Sequence, residues 1–220
     1  MKWLALGLVS VMVMLLVGAF AYGATGWFEA RRQAPQWVQL AKQWQEQGHG
    51  AESLIPQQLH SLVEVIDPDY FTHAGVNPVS LAGGMSTITQ RVAKHLHVLS
   101  LDAGLARIYH TGYALGLETV LSKKEILTLF LGTVSMGEGP VGEVHGFHRA
   151  TLVFYGKVPK SLAQEEFYKL VAVISSPSSF SLQNRNGMLD ERAQRIRRLV
   201  SGECKPFAPR DVGLENCVKD

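Results

Sequence analysis

The N-terminal part of the chain contains a long apolar run without charge. Between Trp3 and Phe28 the sequence holds no Asp, Glu, Lys or Arg side chain. A helix needs about 20 apolar residues to cross a bilayer, and this run is long enough. The run therefore predicts a retained single-span membrane anchor over residues 1–28.

A cleaved signal peptide is the alternative to an anchor. Residues 19–21 (Ala-Phe-Ala) fit the small-x-small pattern of a cleavage site. The apolar run continues beyond this site to Phe28, which favours the anchor. The flanking charges do not support an N-inside orientation, because Lys2 precedes the run while Arg31 and Arg32 follow it. Both interpretations direct the rest of the chain to a membrane or across it.

The chain as a whole has the composition of a folded protein with one domain. Of 220 residues, 46% are hydrophobic and 18% are charged, which permits a buried core and excludes wholesale disorder. A net charge of +2 gives no electrostatic basis for a nucleic-acid partner. Two cysteines are too few for a disulfide-built scaffold or a cysteine-rich metal site. After export, Cys204 and Cys217 could close a disulfide loop, and two unrelated thiols are the alternative.

Periodicity and capping patterns predict a mainly α domain. Helical spacing of apolar residues indicates helices over 34–47, from Ser86 onward and over 189–200. Capping boxes at Ser122 and Ser161 predict two more helices, the second ending by Pro177. Glycines predict loops at 83–84 and 137–142, and period-two alternation is so scarce that any strand must be short.

A dense polar run, residues 86–90 (Ser-Thr-Ile-Thr-Gln), stands where a helix is predicted to begin. Exposed N–H groups and hydroxyls at such a position suit an anion, for example a phosphate. An ordinary helix cap is the alternative. His95 and His97 are two positions apart, so a helix would point them to different faces, and no metal-ligand spacing is convincing.

Five segments follow one another in the order and at the spacing of a known set of motifs. They are residues 66–75 (IDPDYFTHAG), 84–94 (GMSTITQRVAK), 106–118 (ARIYHTGYALGLE), 123–137 (beginning KKEILTLFL) and 145–157 (ending FYGK). Together they resemble the motifs of glycosyltransferase family 51, the peptidoglycan glycosyltransferases of class A penicillin-binding proteins and of monofunctional transglycosylases. The resemblance covers about residues 57 to 199.

The resemblance implies a lysozyme-like α domain held outside the bacterial cytoplasmic membrane. The family polymerises lipid II by an inverting mechanism, in which a glutamate base takes the proton of the acceptor hydroxyl. A second glutamate and basic residues assist the diphosphate leaving group, often with a divalent metal. Such groups are needed because an alcohol is a poor nucleophile and a diphosphate needs cationic stabilisation.

The sequence departs from the family at both carboxylate positions. Ile66 stands where the motif has its base, and His110 stands at the second carboxylate. Asp67 matches the next acidic residue, and Glu64 is a further substitute base, although a shift of two positions turns a helical side chain to another face. Histidine can act as a base near neutral pH, but it does not reproduce a carboxylate's charge or metal preference.

Other departures affect the surroundings of these positions. The arginine of the third motif is replaced by Ala106, with Arg107 in place of the lysine, and the tyrosine and asparagine of the fourth motif are Phe130 and Gly132. The connection 74–85 is shorter than the family's segment that forms a membrane-embedded jaw. We therefore expect a less enclosed lipid donor.

The residues that do match belong mainly to the binding side of the motifs. We expect them to hold substrate or its diphosphate: Ser86, Thr87, Gln90, Lys94, Arg149 and Lys157. The alternative is that they are structural caps and a solvated basic face that maintain the fold.

These matches and departures leave three functional hypotheses. The first is a catalytically silent or impaired family member that binds lipid II, glycan strands or a cell-wall synthesis protein. The second is an active glycosyltransferase with Asp67, Glu64 or His110 as substitute base. The third is a glycan-cleaving enzyme using Glu64 or Glu118, the latter more simply a structural acid.

The expected division of the chain follows from the same observations. It comprises an anchor at 1–28, a linker or membrane-proximal helix at 29–56, a transglycosylase-like domain at 57–202 and a tail at 203–220. We expect no transpeptidase domain and no nucleic-acid partner.

Overall fold

A computed structural model describes residues 2–78, 86–97, 103–177, 179–183, 187–207, 211 and 213–218. These residues are mainly helical, as predicted. The helices are α1 (Lys2–Glu46), α2 (Pro56–Ile66), α3 (Ile88–Leu96), α4 (Ala103–Glu118), α5 (Lys123–Thr133), α6 (Phe147–Tyr155), α7 (Gln164–Ser175) and α8 (Gly187–Val200), with strands β1 (Ser135–Gly139) and β2 (Gly142–His145) between α5 and α6. The predicted loop at 83–84 and most of the short connection 74–85 lie outside the described residues.

Helix α1 lies in two different environments along its length. Its first half exposes large apolar side chains such as Leu15 and Phe20, and within the described residues it is the one helix long and apolar enough to cross a membrane. Its second half contributes Ala30, Ala34 and Ala41 to the core, each with no exposed surface. Residues 29–46 therefore continue the N-terminal helix without a break and pack as part of the domain.

The middle of α1 lies close against α4 because glycines line the contact. A Cβ atom added at Gly112 would lie 1.8 Å from the carbonyl oxygen of Gly23, and one at Gly116 would lie 2.6 Å from that of Trp27. Small residues permit this backbone approach, as they do between transmembrane helices. The N-terminal apolar helix is therefore packed closely against the domain at this contact.

Local sequence explains several helix ends. Ser122 caps α5 as predicted: its Oγ accepts the Glu125 N–H, and Glu125 accepts the Ser122 N–H in return. The prediction of a capping box at Ser161 is wrong. Ser161 ends a 3₁₀ turn, and α7 begins three residues later, with the Ala163 N–H donating to Glu166. Helix α7 ends at Ser175, before Pro177 as predicted.

The predicted loop at 137–142 belongs instead to an antiparallel hairpin. Strands β1 and β2 pair with a register irregularity between Ser135 and Glu138. Gly137 and Gly142 both have positive φ, at 76° and 100°, a conformation that glycine adopts without steric cost. The hairpin ends where α6 begins, so it sets the start of that helix.

The C-terminal segment is tied to α8. Cys204 and Cys217 form a disulfide with Cα atoms 5.4 Å apart, and the Arg198 guanidinium donates to the Cys217 carbonyl at 2.6 Å. Helix α8 itself packs on α7 and α2. The tail therefore folds back onto the domain.

Candidate functional site

The N-terminal end of α3 is organised by a buried carboxylate. Asp67 is 2% exposed, and its Oδ2 accepts the Ile88 N–H at 2.9 Å. The Nε2 of His73 lies 3.0 Å from both carboxylate oxygens. Because the Gly75 N–H donates to Nδ1 of His73 at 3.0 Å, the imidazole proton lies on Nε2 and is donated to Asp67. The Asp67 carboxylate therefore joins α2, the 73–75 turn and α3.

Thr87 and Gln90 complete the cap of α3 and are almost fully buried. The Thr87 Oγ1 accepts the Gln90 N–H, and the Gln90 Oε1 accepts the Thr87 N–H, both at 3.1 Å. The Thr87 hydroxyl also donates to the Gly75 carbonyl at 2.7 Å, and the Gln90 amide donates to Thr111 Oγ1 on α4 at 3.1 Å. These contacts fit the structural-cap alternative for both residues.

The position of the expected base is occupied by a core side chain. Ile66 is 2% exposed and belongs to the main hydrophobic cluster. Glu64 is half-buried on the same helix, and two residues correspond to about 200° around a helix axis. Glu64 therefore does not take the place that Ile66 occupies.

A second acid, Glu118, lies beside α3 with its side chain 8% exposed. Glu118 accepts the Thr89 hydroxyl at 2.6 Å and forms an ion pair with Lys123 at 2.7 Å. The Lys123 ammonium also donates to the His73 carbonyl at 2.7 Å and lies 4.5 Å from the centre of the Tyr70 ring. Burial and the neighbouring carboxylates raise the pKa of Tyr70, whose hydroxyl donates to the Lys123 carbonyl. This network extends the one at Asp67.

His110 lies on α4 and contacts the chain just beyond the C-terminal end of α3. Its Nε2 donates to the His97 carbonyl at 2.8 Å, which leaves Nδ1 as the acceptor in the neutral imidazole. Burial lowers the pKa of His110. The His97 ring stacks on Tyr109, with centroids 5.0 Å apart, and Lys94 is exposed nearby.

The two candidate catalytic residues are not brought together. Asp67 binds the first N–H of α3 and His110 binds the carbonyl just beyond its end. At 1.5 Å per residue, these ends are about 13 Å apart along the axis. Asp67 and His110 therefore cannot share a proton directly.

The remaining predicted binding residues differ in whether they form ion pairs and in how exposed they are. Lys157 forms an ion pair with Glu166 at 2.7 Å. Arg149 is exposed in the first turn of α6, and Ser86 is half-buried, with its carbonyl accepting from the Arg91 guanidinium at 3.4 Å. Lys94 and Arg149 are therefore the more accessible cations of the predicted set.

Comparison with known proteins identifies the family of this chain. The family model of the transglycosylases matches residues 37–201. The chain belongs to the transglycosylase family. It is 31% identical over 164 residues to penicillin-binding protein 1C of Escherichia coli K12, covering 68% of this chain and 20% of that protein. It is 33% identical over 125 residues to the biosynthetic peptidoglycan transglycosylase of Escherichia coli O139:H28, covering 56% of this chain and 50% of that protein. The chain thus spans at most half the length of these relatives.

This transglycosylase-family domain does not present a divalent-metal site among its described residues. No group of three or more His, Cys, Asp or Glu side chains there is placed to hold a metal ion. Magnesium prefers free oxygen ligands, but the Asp67 carboxylate is occupied by His73 and an amide, and Glu118 by Lys123 and Thr89. The described residues therefore do not fit the metal that the resemblance implied.

Sequence reasoning missed the partners of Asp67 and Glu118 in this transglycosylase fold. His73 and Lys123 both stand in recognised motifs, but their roles at Asp67 and Glu118 depend on chain segments that meet only in three dimensions. The available signal was weak: a histidine six residues after the acid, and a lysine five residues after Glu118. Neither spacing identifies a contact without the fold.

Proposed function

We propose that the protein is a membrane-anchored, transglycosylase-like component of bacterial cell-wall synthesis whose polymerase activity is lost or impaired. One observation carries this proposal: the base position holds Ile66, which is buried in the core, and the adjacent Asp67 is fully committed to His73 and α3. General acid–base assistance contributes about 10²–10⁴-fold to a rate. Loss of the base alone therefore predicts a severe defect.

Substrate binding is the function proposed to remain. Lys94 and Arg149 are exposed cations, which suit the diphosphate of lipid II or an anionic group on a glycan strand. The apolar half of α1 would place the domain at the outer face of the cytoplasmic membrane, where a lipid-linked precursor is presented. A cell-wall synthesis protein is the other partner considered.

Residual polymerisation is the second candidate, and one observation favours it. The His110 Nδ1 is an acceptor in the neutral ring, and burial lowers the pKa of this histidine, so it is unprotonated at neutral pH. A neutral imidazole can take a proton from an alcohol. Glycan cleavage gains no comparable support, because Glu118 is ion-paired with Lys123.

The deciding experiment uses the full chain in detergent with fluorescent lipid II and Mg²⁺. We expect lipid II retention without polymer, while the Escherichia coli biosynthetic peptidoglycan transglycosylase makes polymer in a parallel reaction. Polymer from the unmodified protein would overturn the silent interpretation, and its loss in His110→Gln would assign the base. Absence of binding to both lipid II and purified glycan strands would overturn the binding proposal.

A matched pair of variants tests the binding surface. Lys94→Gln should weaken lipid II binding by about threefold to tenfold, because it removes an accessible cation. Lys160→Gln removes another exposed lysine, from the 3₁₀ turn before α7, and should leave affinity unchanged. Equal effects from both substitutions would indicate unspecific electrostatic attraction.

Restoring carboxylates tests the cause of inactivity. Ile66→Glu with His110→Glu should produce polymer if only these two groups are missing. The Ile66 substitution puts a carboxylate into a buried apolar site, which is costly, so circular dichroism and a thermal melt must accompany the assay. A folded but inactive double variant would place the defect outside these two positions.

A further inference from the structure

An apolar groove lies between α1 and α4, at the C-terminal end of the charge-free run of α1. It has a volume of about 610 Å³ and an almost entirely apolar lining. Helix α1 contributes Phe20, Gly23 and Trp27 to this lining, and α4 contributes Ile108 and Leu115. The volume falls within the range of small-molecule sites. None of the side chains expected to bind substrate is among its described lining residues.

The groove lies at the depth of the apolar run. Helices α1 and α4 are parallel here, because their backbones approach each other at Gly23 and Gly112 and again, four residues further along both helices, at Trp27 and Gly116. Gly104, about two turns before Gly112, therefore lies beside the run rather than beyond its end. A membrane that surrounds this long apolar helix would meet the open side of the groove.

The two sides of the α1–α4 contact carry different polar groups. On one side, Arg32 forms an ion pair with Glu29 at 2.6 Å, and this pair interacts electrostatically with Tyr109, which does not line the groove. On the groove side, the exposed Arg31 guanidinium lies 4.5 Å from the centre of the Trp27 ring. Arg31 and Arg32 are neighbours in sequence, but the helix turns their charges to different sides.

The charge at the groove favours an anionic ligand. Arg31 forms no ion pair with an acid in the described part of the chain. The described lining residues include one charged side chain, Arg107, which is also a cation. Tryptophan is typical of the membrane–water interface, and Trp27 lies at the end of the groove beside Arg31. The groove thus suits an apolar chain with an anionic head at the Arg31 end.

We propose that this groove binds an anionic phospholipid of the membrane that α1 enters. One acyl chain lies along Phe20, Gly23 and Ile108, and the phosphate binds Arg31 beside Trp27. A single arginine matches the single phosphate diester of such a lipid. The inference rests on the membrane anchoring in the proposed function, but it does not depend on lipid II binding or on polymerase activity.

The test measures which lipid lies beside Trp27. The Trp3→Phe chain is reconstituted in phosphatidylcholine vesicles that contain brominated phosphatidylglycerol or, in parallel, brominated phosphatidylcholine. Bromine quenches indole fluorescence at short range, and Trp37 and Trp44 pack against the core of the domain. We expect phosphatidylglycerol to bind beside Trp27 about threefold to tenfold more tightly than phosphatidylcholine, with a smaller preference at high salt.

Three results would contradict parts of this inference in different ways. Equal quenching by the two lipids, in a chain that alkaline extraction leaves in the vesicles, would overturn the phospholipid site and leave the anchoring intact. Loss of the chain on alkaline extraction would instead overturn the anchoring on which both proposals rest. Displacement of the brominated lipid by undecaprenyl phosphate at lower concentrations than by phosphatidylglycerol would overturn the phospholipid assignment in favour of a lipid-linked precursor.

Two matched pairs of variants on α1 locate the site. Arg31→Gln should abolish the preference for phosphatidylglycerol, whereas Arg32→Gln, on the other side of the helix, should retain it. Ala24→Leu fills the groove and should reduce quenching by both lipids, whereas Ala21→Leu adds the same volume at an exposed position outside the lining and should not. Equal effects of the two arginine variants, or unchanged quenching in Ala24→Leu, would contradict the assignment.

Discussion

The two ends of helix α3 differ in how fully their polar groups are satisfied. At the N-terminal end, Asp67, Thr87 and Gln90 are buried and each makes at least two hydrogen bonds within the fold. At the C-terminal end, His110 makes one hydrogen bond to a backbone carbonyl, and Lys94 is exposed. The first end is part of the scaffold, whereas the second retains accessible chemical groups.

This difference explains how a chain can match family motifs although Ile66 and His110 stand at the two positions where the resemblance places carboxylates. The matching Thr87 and Gln90 are residues on which the start of α3 depends. The position of the second expected carboxylate, now His110, lies at the less constrained end. The motif match at α3 is therefore explained by residues that stabilise the fold. Whether the chain is active depends instead on the positions that hold Ile66 and His110.

The largest expected effect comes from removing the acid at the N-terminal end. Asp67→Ala leaves the Ile88 N–H and the His73 Nε2–H without their acceptor in a buried site. We expect a loss of about 3 kcal/mol in the free energy of unfolding, measured by urea titration in detergent. Asp69→Ala is the matched control: this exposed acid accepts from Asn77, so its loss should cost about 1 kcal/mol or less. Similar costs would remove the distinction between a scaffold acid and a surface acid.

Breaking the adjacent ion pair should have the next largest effect. Glu118→Leu leaves the Lys123 ammonium with the His73 carbonyl and the Tyr70 ring. Because the Lys123 side chain is 24% exposed, we expect the free energy of unfolding to fall by about 2 kcal/mol. This loss is below the roughly 3–5 kcal/mol typical of breaking a fully buried pair. The double variant Glu118→Leu/Lys123→Leu should recover part of this loss in the same titration. A double variant less stable than the sum of the two singles would show that the charge is not the cause.

Removing the cap hydroxyl tests the N-terminal end at a smaller scale. Thr87→Ala should cost about 1–2 kcal/mol, because it removes a helix cap and a buried bond to the Gly75 carbonyl. Ser122→Ala removes the exposed cap of α5 and should cost about 1 kcal/mol or less. Urea titration of both variants compares them directly. Equal losses in the free energy of unfolding would show that burial of the α3 cap adds nothing to stability.

Local features of the fold were predictable from sequence, and the exceptions have physical reasons. The Ser122 box and the end of α7 before Pro177 depend on neighbouring residues alone. The Ser161 box failed because Pro159 starts a 3₁₀ turn that includes Ser161, and Glu166 binds the Ala163 N–H instead. The hairpin was missed because its strands are too short to show alternation.

The candidate site was predictable only as a set of positions. Sequence motifs identified Ile66, Asp67 and His110, but spacing could not show that α3 separates the last two. Arg192 illustrates the same limit: the basic helix over 189–200 was identified, yet its helical spacing from Leu189 is the only sign that one arginine points inward. Whether such a residue has a partner depends on segments distant in sequence.

The smallest expected effect concerns pH and tests the C-terminal end of α3. Burial lowers the pKa of His110 in the folded protein, so the unfolded chain binds more protons at this site. Its contribution to stability is present above the unfolded pKa of about 6.5 and is lost as the pH falls through the lower folded value.

His110→Gln should therefore reduce the loss of stability on acidification from about pH 7.5 to pH 5.5. His95 and His148, whose pKa values are lowered in the same direction by burial, remain in this variant, so part of the pH dependence persists. The measurement is the urea midpoint at each pH, with His60→Gln on the exposed face of α2 as the matched histidine deletion. An unchanged pH dependence in His110→Gln would mean that the imidazole is as well hydrated in the folded chain as in the unfolded one. The C-terminal end would then offer an ordinary surface histidine, and the case for His110 as a substitute base would lose its physical support.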